Sequence, residues 1–430
     1  MAIMTLAEVS EKCGKSQKTV RRAIMAGELI ATKVQNHYQI EAENYNKWNN
    51  GENKKTNDKN IVKEKNDKVN WIDISDVWGI NGWQNPQERN GLNFIDLFSG
   101  AGGLSCGLCM AGFTPIASVE IMPEAVATYE FNFIQTKGFN EQVETRDIRS
   151  EEVKQRLYEA VEGQHIDLIV GGFPCQGFSM SGYRVHTDPR NSLYLEMLKI
   201  VRRLQPEFIV MENVEGLRSM LGGKVEEKII KDYRKIGYNI NVTLLNSADY
   251  CVPQTRQRVI FIGNRIGGKN FHPKPLLNSD EYFTVADGIA RFMNIPNDAR
   301  INHVASNHSA EMLVRLAAVP EGGSLYENYS DSWKKVFWNR PSCTIKENHG
   351  ATNIHPILNR CMTARELAAL QSFPDDFIFA GSKKWQLVQI GNAVPPLLGK
   401  AIGLAVQKSY NVAHQLQIVE KREDKTYHTL

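Results

Sequence analysis

The chain has 430 residues, 42% of them hydrophobic, and a formal net charge of +3, enough length for two or three domains around a real core. No apolar run approaches the roughly 18 residues of a membrane helix, and Glu8 and Glu11 interrupt the N-terminus before a signal-like core develops, so a cytoplasmic protein without a membrane partner is predicted. Seven cysteines, odd in number and scattered, argue against a disulfide framework.

Charge is unevenly spread. Residues 1–70 carry 13 Lys/Arg against 9 Asp/Glu, and the rest is close to neutral. Any nucleic-acid affinity of the larger part must therefore come from local patches.

Residues 1–50 read as one small unit. TLAEVSEKCG has helical spacing and closes at Gly14, and Ser16 suits the N-cap of KTVRRAIMAG, which Gly27 ends. Helix, glycine turn, helix is the helix-turn-helix arrangement, and Lys18, Arg21 and Arg22 make the second helix basic. ELIATKVQNHYQI alternates like a β-wing, and EAENYNKWN returns to helix. The stretch resembles the winged helix-turn-helix domains of excisionase-type and MerR-type proteins, which implies DNA binding through Lys18, Arg21 and Arg22. A helical cap with a solvated basic face is the competing reading.

Residues 51–90 are expected to form a linker, because GENKKTNDKNIVKEKNDKV is rich in Lys, Asn and Asp and poor in apolar residues. From 91 to 264, apolar runs (NFIDLF, PIASVE, HIDLIV, FIVMEN, NINVTLLN, RVIFIGN) alternate with amphipathic helices, which predicts an α/β domain with a mostly parallel sheet. The rhythm breaks over 265–356, read as a smaller irregular domain, and helical spacing returns over 357–430.

NFIDLF runs into SGAGG, whose Gly100, Gly102 and Gly103 permit a tight turn and close approach to a ligand. Glu120, about twenty residues on, suits a ribose, and Asp147 suits an adenine amino group. The GxGxxG spacing is absent, and no P-loop lysine follows. The cofactor that fits is a nucleoside without pyrophosphate, such as S-adenosylmethionine.

Cys175 stands behind Pro174 at the exit of the HIDLIV strand and begins a loop able to close over a substrate. Glu212 and Asn213 end the FIVMEN strand at the same sheet edge. No His or Cys lies near Cys175 to suggest a metal, and none is expected; Cys106 and Cys109 are read as the buried side of a helix. A thiol and a carboxylate beside a nucleoside suit methylation of a pyrimidine at carbon 5. Thiolate addition to carbon 6 makes carbon 5 nucleophilic, and the base must first leave the duplex stack.

FIDLFSGAGGL, GGFPCQGFS, MENV, QTRQRV, RELAALQSFPDDF and QIGNAVPP, in this order, resemble the motifs of the cytosine carbon-5 methyltransferases, above all the bacterial DNA enzymes of restriction–modification systems. The resemblance spans about residues 91–410 and implies a Rossmann-like methyltransferase sheet with a target-recognition domain at 265–356. It implies catalytic roles for Cys175, Glu212, Arg256 and Arg258. Cofactor contacts are implied at Phe98, Gly100, Gly102, Glu120, Ile121, Asp147, Ile148, Asn392 and Val394, and DNA contacts at Gln176, Ser179 and Thr344. Arg365 is implied to organise the second domain, while His303 and His308 stand in a segment suited either to DNA contact or to a surface loop. Double-stranded DNA is the expected substrate of a monomer paired functionally with a restriction endonuclease. A tRNA substrate and a regulator built on a methyltransferase scaffold are the alternatives. The third motif, Arg146-Asp147-Ile148, lacks the usual glycine, and the N-terminal 90 residues are foreign to the family core.

Overall fold

Thr5 starts the first helix by a reciprocal cap: its hydroxyl accepts from Glu8 N–H, and the Glu8 carboxylate accepts from Thr5 N–H at 2.6 Å. The helix Leu6–Cys13 ends where Gly14 takes φ +64°. In this computed structural model, residues 3–15, 17, 20, 23–24, 29, 31–34, 37–50, 69–79, 83, 89–174, 193–326, 333–346 and 353–427 are described. The chain divides into two units, residues 1–68 and 69–430.

In the smaller unit, β1 (Ile3–Thr5), β2 (Thr32–Val34) and β3 (His37–Glu41) form an antiparallel sheet in the order β1-β3-β2. The helix Ala42–Asn49 follows, and Val9, Val20, Leu29, Ile40 and Tyr45 form the core. β1 is an addition to what the sequence suggested. Lys18, Arg21 and Arg22 lie outside the described residues.

The larger unit begins earlier than residue 91. β4 (Asn70–Ile72) pairs in parallel with β12 (Phe271–Pro273), and Ile74 is fully buried. The reason is compositional: after the lysine-rich stretch, residues 71–78 supply Trp71, Ile72, Ile74 and Trp78, of which Ile72, Ile74 and Trp78 join the main core.

The central sheet contains β5 (Asn93–Leu97), β6 (Thr114–Val119), β7 (Gln142–Glu144), β8 (Leu168–Gly171), β9 (Phe208–Val214), β10 (Asn239–Asn246) and β11 (Gln257–Asn264). Its spatial order is β10-β11-β9-β8-β5-β6-β7. The five strands from β9 to β7 are parallel, and β11 runs antiparallel between β9 and β10. Only residues 247–256 join β10 to β11, too short a connection for the crossover that a parallel partner requires.

Alternate residues of each strand feed opposite cores. Phe94, Leu168, Val170, Phe208 and Val210 face a cluster that includes Leu104, Leu370 and Leu398. Ile95, Leu97, Ile169, Ile209 and Met211 face Val153, Leu157, Ile200 and Ile229. Helices therefore cover both faces, and the carboxyl ends of β5, β6, β8 and β9 share one edge. Cys106 and Cys109 are buried in the helix Gly103–Met110.

The described residues of 265–356 hold β12, short helices and single bridges, and they do not separate as a compact unit of their own. Among the described residues no helix is long and apolar enough to cross a membrane.

Candidate active site

The first strand ends in an abrupt turn. Phe98, Gly100 and Gly102 have φ of +63°, +55° and +88°, which curls the chain from β5 into the helix Gly103–Met110. Glu120 pins this turn: its Oε2 accepts from Gly100 N–H at 2.8 Å, and its Oε1 accepts from Ile121 and Met122 N–H at 2.9 and 2.8 Å. Oε1 is thereby filled by two donors, and Oε2 keeps a lone pair for a ligand.

A cleft of about 1140 Å³ opens here. Phe98, Gly100, Glu120, Ile121, Asp147, Ile148, Asn392 and Val394 all line it, as a cofactor site requires. Gly102 does not. A side chain on Gly102 would begin 2.5 Å from the Phe133 ring, so this glycine serves the turn and its packing. Ser99 Oγ lines the cleft, buried and without a partner, which suits a polar ligand.

Asp147 is already engaged. Arg149 Nε lies 3.0 Å from both its carboxylate oxygens, and this pairing holds Asp147 below the usual carboxylate range. Sequence reading missed Arg149, whose signal was its place two residues after Asp147 in TRDIRS. Ligation of an adenine amino group by Asp147 must therefore share or displace that guanidinium.

At the other end of the cleft β8 gives way to Gly172, Phe173 and Pro174. Asn213 Nδ2 donates to Phe173 O at 2.9 Å and so ties this loop to β9. Cys175, Gln176 and Ser179 lie outside the described residues. Glu212 comes from β9 and Arg258 from β11, joined at 2.8 Å between Glu212 Oε1 and Arg258 Nε.

The two arginines of QTRQR differ in role. Arg256 is 1% exposed and donates to Ile345 O at 2.8 Å and Gly391 O at 3.0 Å. It lines the cleft and ties three of its walls together. Burial, and then the neighbouring Arg258 charge, lower its pKa. Thr344 lines the cleft and donates to Thr255 O at 2.9 Å. His303 is neither a surface nor a DNA-facing residue: it is buried, with Nδ1 3.0 Å from Thr363 Oγ1. Arg365 is fully buried and donates to Asp375 O and Phe377 O at 3.1 and 2.8 Å.

A buried acid was also missed. Asp96 on β5 lines the cleft and accepts from Ser105 Oγ at 2.5 Å. Tyr129 Oη lies 3.1 Å from Ser105 Oγ and 3.0 Å from Glu141 Oε1. Burial pushes Asp96 up to about 7 and Glu141 up to about 8. An acid within a strand covered on both faces was the available signal, since such a group needs a partner.

Together the sheet order, the glycine turn backed by an acid and the Glu–Arg pair define the class: a Rossmann-like methyltransferase. Residues 92–408 match the family model for the C-5 cytosine-specific DNA methylases, and the chain belongs to that family. M1.HphI, a type II methyltransferase of Haemophilus parahaemolyticus, is 41% identical over 332 residues, covering 74% of this chain and 87% of its own. M.DdeI of Desulfomicrobium norvegicum, also a type II methyltransferase, is 34% identical over 370 residues, covering 72% and 87%. A crystal structure of a prophage-encoded DNA modification methyltransferase from E. coli is similar with a TM-score of 0.62 at 27% identity, covering 75% of this chain and 100% of that one. The protein is thus a DNA cytosine-5 methyltransferase, an enzyme of a family that acts on double-stranded DNA and takes its methyl group from S-adenosylmethionine. The matched residues do not include the 1–68 unit.

Proposed function

We propose that this enzyme methylates carbon 5 of a flipped-out cytosine within a short, specific duplex sequence, acting as a cytoplasmic monomer. We further propose that it serves a restriction–modification system, protecting DNA from a cognate endonuclease. The observation that carries the reading is the single cleft that brings the Glu212–Arg258 pair, the Pro174 loop leading to Cys175 and the Gly100–Glu120 turn together.

S-adenosylmethionine, when bound, supplies an electrophilic methyl group. Gly100, Glu120 and Ser99 would hold it at the turn, with Phe98 and Ile121 beside the adenine. Cys175 Sγ, as thiolate, adds to carbon 6 of the base while the Glu212 carboxyl holds ring nitrogen 3 and supplies its proton. Carbon 5 would then be the nucleophile toward the cofactor's methyl group, whose bond to the sulfonium sulfur breaks to release the neutral thioether. A base removes the carbon-5 proton, the C6–Sγ bond breaks as the ring double bond reforms, and the N3 proton returns to Glu212. Arg258 orients Glu212 and faces the base. Arg256 is a positioning residue. Residues 265–356, with Thr344 at the cleft, are assigned to target recognition, and Gln176 and Ser179 to DNA contact as the base leaves the stack.

The basic sequence at Lys18, Arg21 and Arg22, taken together with the capped helix Leu6–Cys13 and the small sheet, supports a winged helix-turn-helix role for the N-terminal unit. It would repress the enzyme's own gene. Deleting residues 1–50 should abolish binding to DNA upstream of that gene while leaving methylation intact; a loss of site preference would assign the unit to target recognition instead.

The central test is tritium transfer from labelled cofactor to plasmid DNA and to bulk tRNA, with bisulfite sequencing of the plasmid. Labelled cytosine at one recurring plasmid sequence is expected. Cys175→Ala should remove both turnover and covalent trapping by 5-fluorocytosine DNA. A fully active Cys175→Ala enzyme, or label confined to tRNA, refutes the proposal.

A further inference from the structure

β8 and β9 are parallel, so the residues that precede them meet at the sheet edge opposite Gly172 and Glu212. There His165 Nε2 lies 3.2 Å from Asp167 Oδ1 and 3.4 Å from Glu207 Oε1. All three donor atoms fall within 4.8 Å of one another.

Both carboxylates are held from behind. Asn93 N–H donates to Asp167 Oδ2 at 2.7 Å, and His414 Nε2 lies 2.7 Å from Glu207 Oε2. The His414 ring packs on Tyr410 with centroids 4.2 Å apart. Asp167 Oδ2 and Glu207 Oε2 are thus engaged by the protein's own groups, the Tyr410 hydroxyl also hydrogen-bonds the Asp167 carboxylate, and Oδ1 and Oε1 lie toward His165.

We propose that His165, Asp167 and Glu207 bind a divalent first-row transition ion of the zinc class, with His414 orienting Glu207. Tetrahedral bonds near 2.0–2.1 Å set neighbouring donors about 3.3 Å apart, and two edges of this cluster measure 3.2 and 3.4 Å. Two carboxylates offset the ion's charge, and an imidazole nitrogen favours zinc-like ions over calcium or magnesium, which prefer oxygen. Hydrogen bonds to the outer carboxylate oxygens are the support that ligating carboxylates ordinarily receive.

Exposure fits as well. The Asp167 and Glu207 side chains are 4% and 13% exposed and rigidly set, whereas His165 at 63% leaves the ion access from solvent and room for a water ligand. Sequence reading assigned no metal because the donors stand as His-x-Asp and, forty residues later, one glutamate. Only the parallel pairing of β8 and β9 unites them. Since His414 belongs to the long helix Pro396–Tyr427, the bound ion would tie that helix to the sheet, a stabilising role remote from the methyl-transfer cleft.

The test uses full-length protein dialysed against EDTA and then freed of chelator. Titration with ZnCl2 in a calorimeter should show one ion per chain, CoCl2 should produce a visible absorption band, and Zn²⁺ should raise the melting temperature. His165→Ala and Asp167→Asn, each checked for fold by circular dichroism, should weaken Zn²⁺ binding at least tenfold; His414→Ala should weaken it about tenfold. No saturable binding of either ion would leave the cluster as a hydrogen-bonded group only and overturn the proposal. Equal affinity in wild type, His165→Ala and Asp167→Asn would place the metal elsewhere and overturn it too.

Discussion

Arg258 Nε lies 2.8 Å from Glu212 Oε1 because the antiparallel register of β9 and β11 sets Arg258 opposite Val214, two residues beyond Glu212 on the same face. Both side chains are close to nine-tenths buried, so water replaces a lost partner poorly. Arg258→Ala should lower kcat/KM for DNA by roughly a hundredfold, corresponding to about 3 kcal/mol of transition-state stabilisation. Arg258→Lys should restore only part of this, since an ammonium lacks the guanidinium fork. Tritium-transfer kinetics on a plasmid substrate measure both.

Gly172 leaves room for the same carboxylate. A Cβ at this position would begin 3.2 Å from Glu212 Oε2, so Gly172→Ala must push the acid or the loop aside by a few tenths of an ångström. The displacement acts on chemistry more than on cofactor affinity. We expect kcat to fall about tenfold, with cofactor binding by calorimetry changed less than twofold.

Arg256 makes a contrasting prediction. Replacing it with alanine strands the Ile345 and Gly391 carbonyls and opens a hole where three walls meet. Arg256→Ala should cost about 3 kcal/mol of stability, read as a lower urea midpoint. Activity lost in this variant should return in part on cooling, as it would for a fastening residue and would not for a missing reactive group.

The Asp96–Ser105–Tyr129–Glu141 network predicts a pH dependence. Asp96 titrates at about 7 and Glu141 at about 8 in the folded protein, above the ordinary carboxylate range, so the folded state retains protons that the unfolded chain releases near pH 4. By linkage, the network's contribution to stability declines as pH rises from about 4 to about 8. Asp96→Asn keeps an acceptor for the Ser105 hydroxyl and removes one titration. Its melting temperature should therefore drop less than that of the wild type between pH 5 and pH 8, measured by calorimetry in matched ionic strength. A parallel decline in both proteins would count against a buried, proton-holding Asp96.

Much of this enzyme could be read from local pattern. Continuous apolar runs at Phe94–Leu97 and Phe208–Met211, buried on both faces, the glycine turn behind β5, the acid at Glu120 and the cysteines inside the helix Gly103–Met110 all depend on residues within a turn or a strand of each other. Such features survive in a one-dimensional string because backbone sterics and hydrophobic periodicity act over short range.

What remained hidden depended on which distant segments meet. Arg256 and Arg258 are two residues apart, yet one fastens residues 345 and 391 and the other faces Glu212, because the chain enters β11 between them. Asp147 has its guanidinium partner and His303 its buried place against Thr363 only after the loops are laid on the sheet. The boundary near residue 69 rests on β4 finding β12, some two hundred residues away, and the His165–Asp167–Glu207 cluster rests on two strands lying side by side. Contacts of that kind carry no spacing to read, since chain topology brings the groups together and burial then sets their partners and charge.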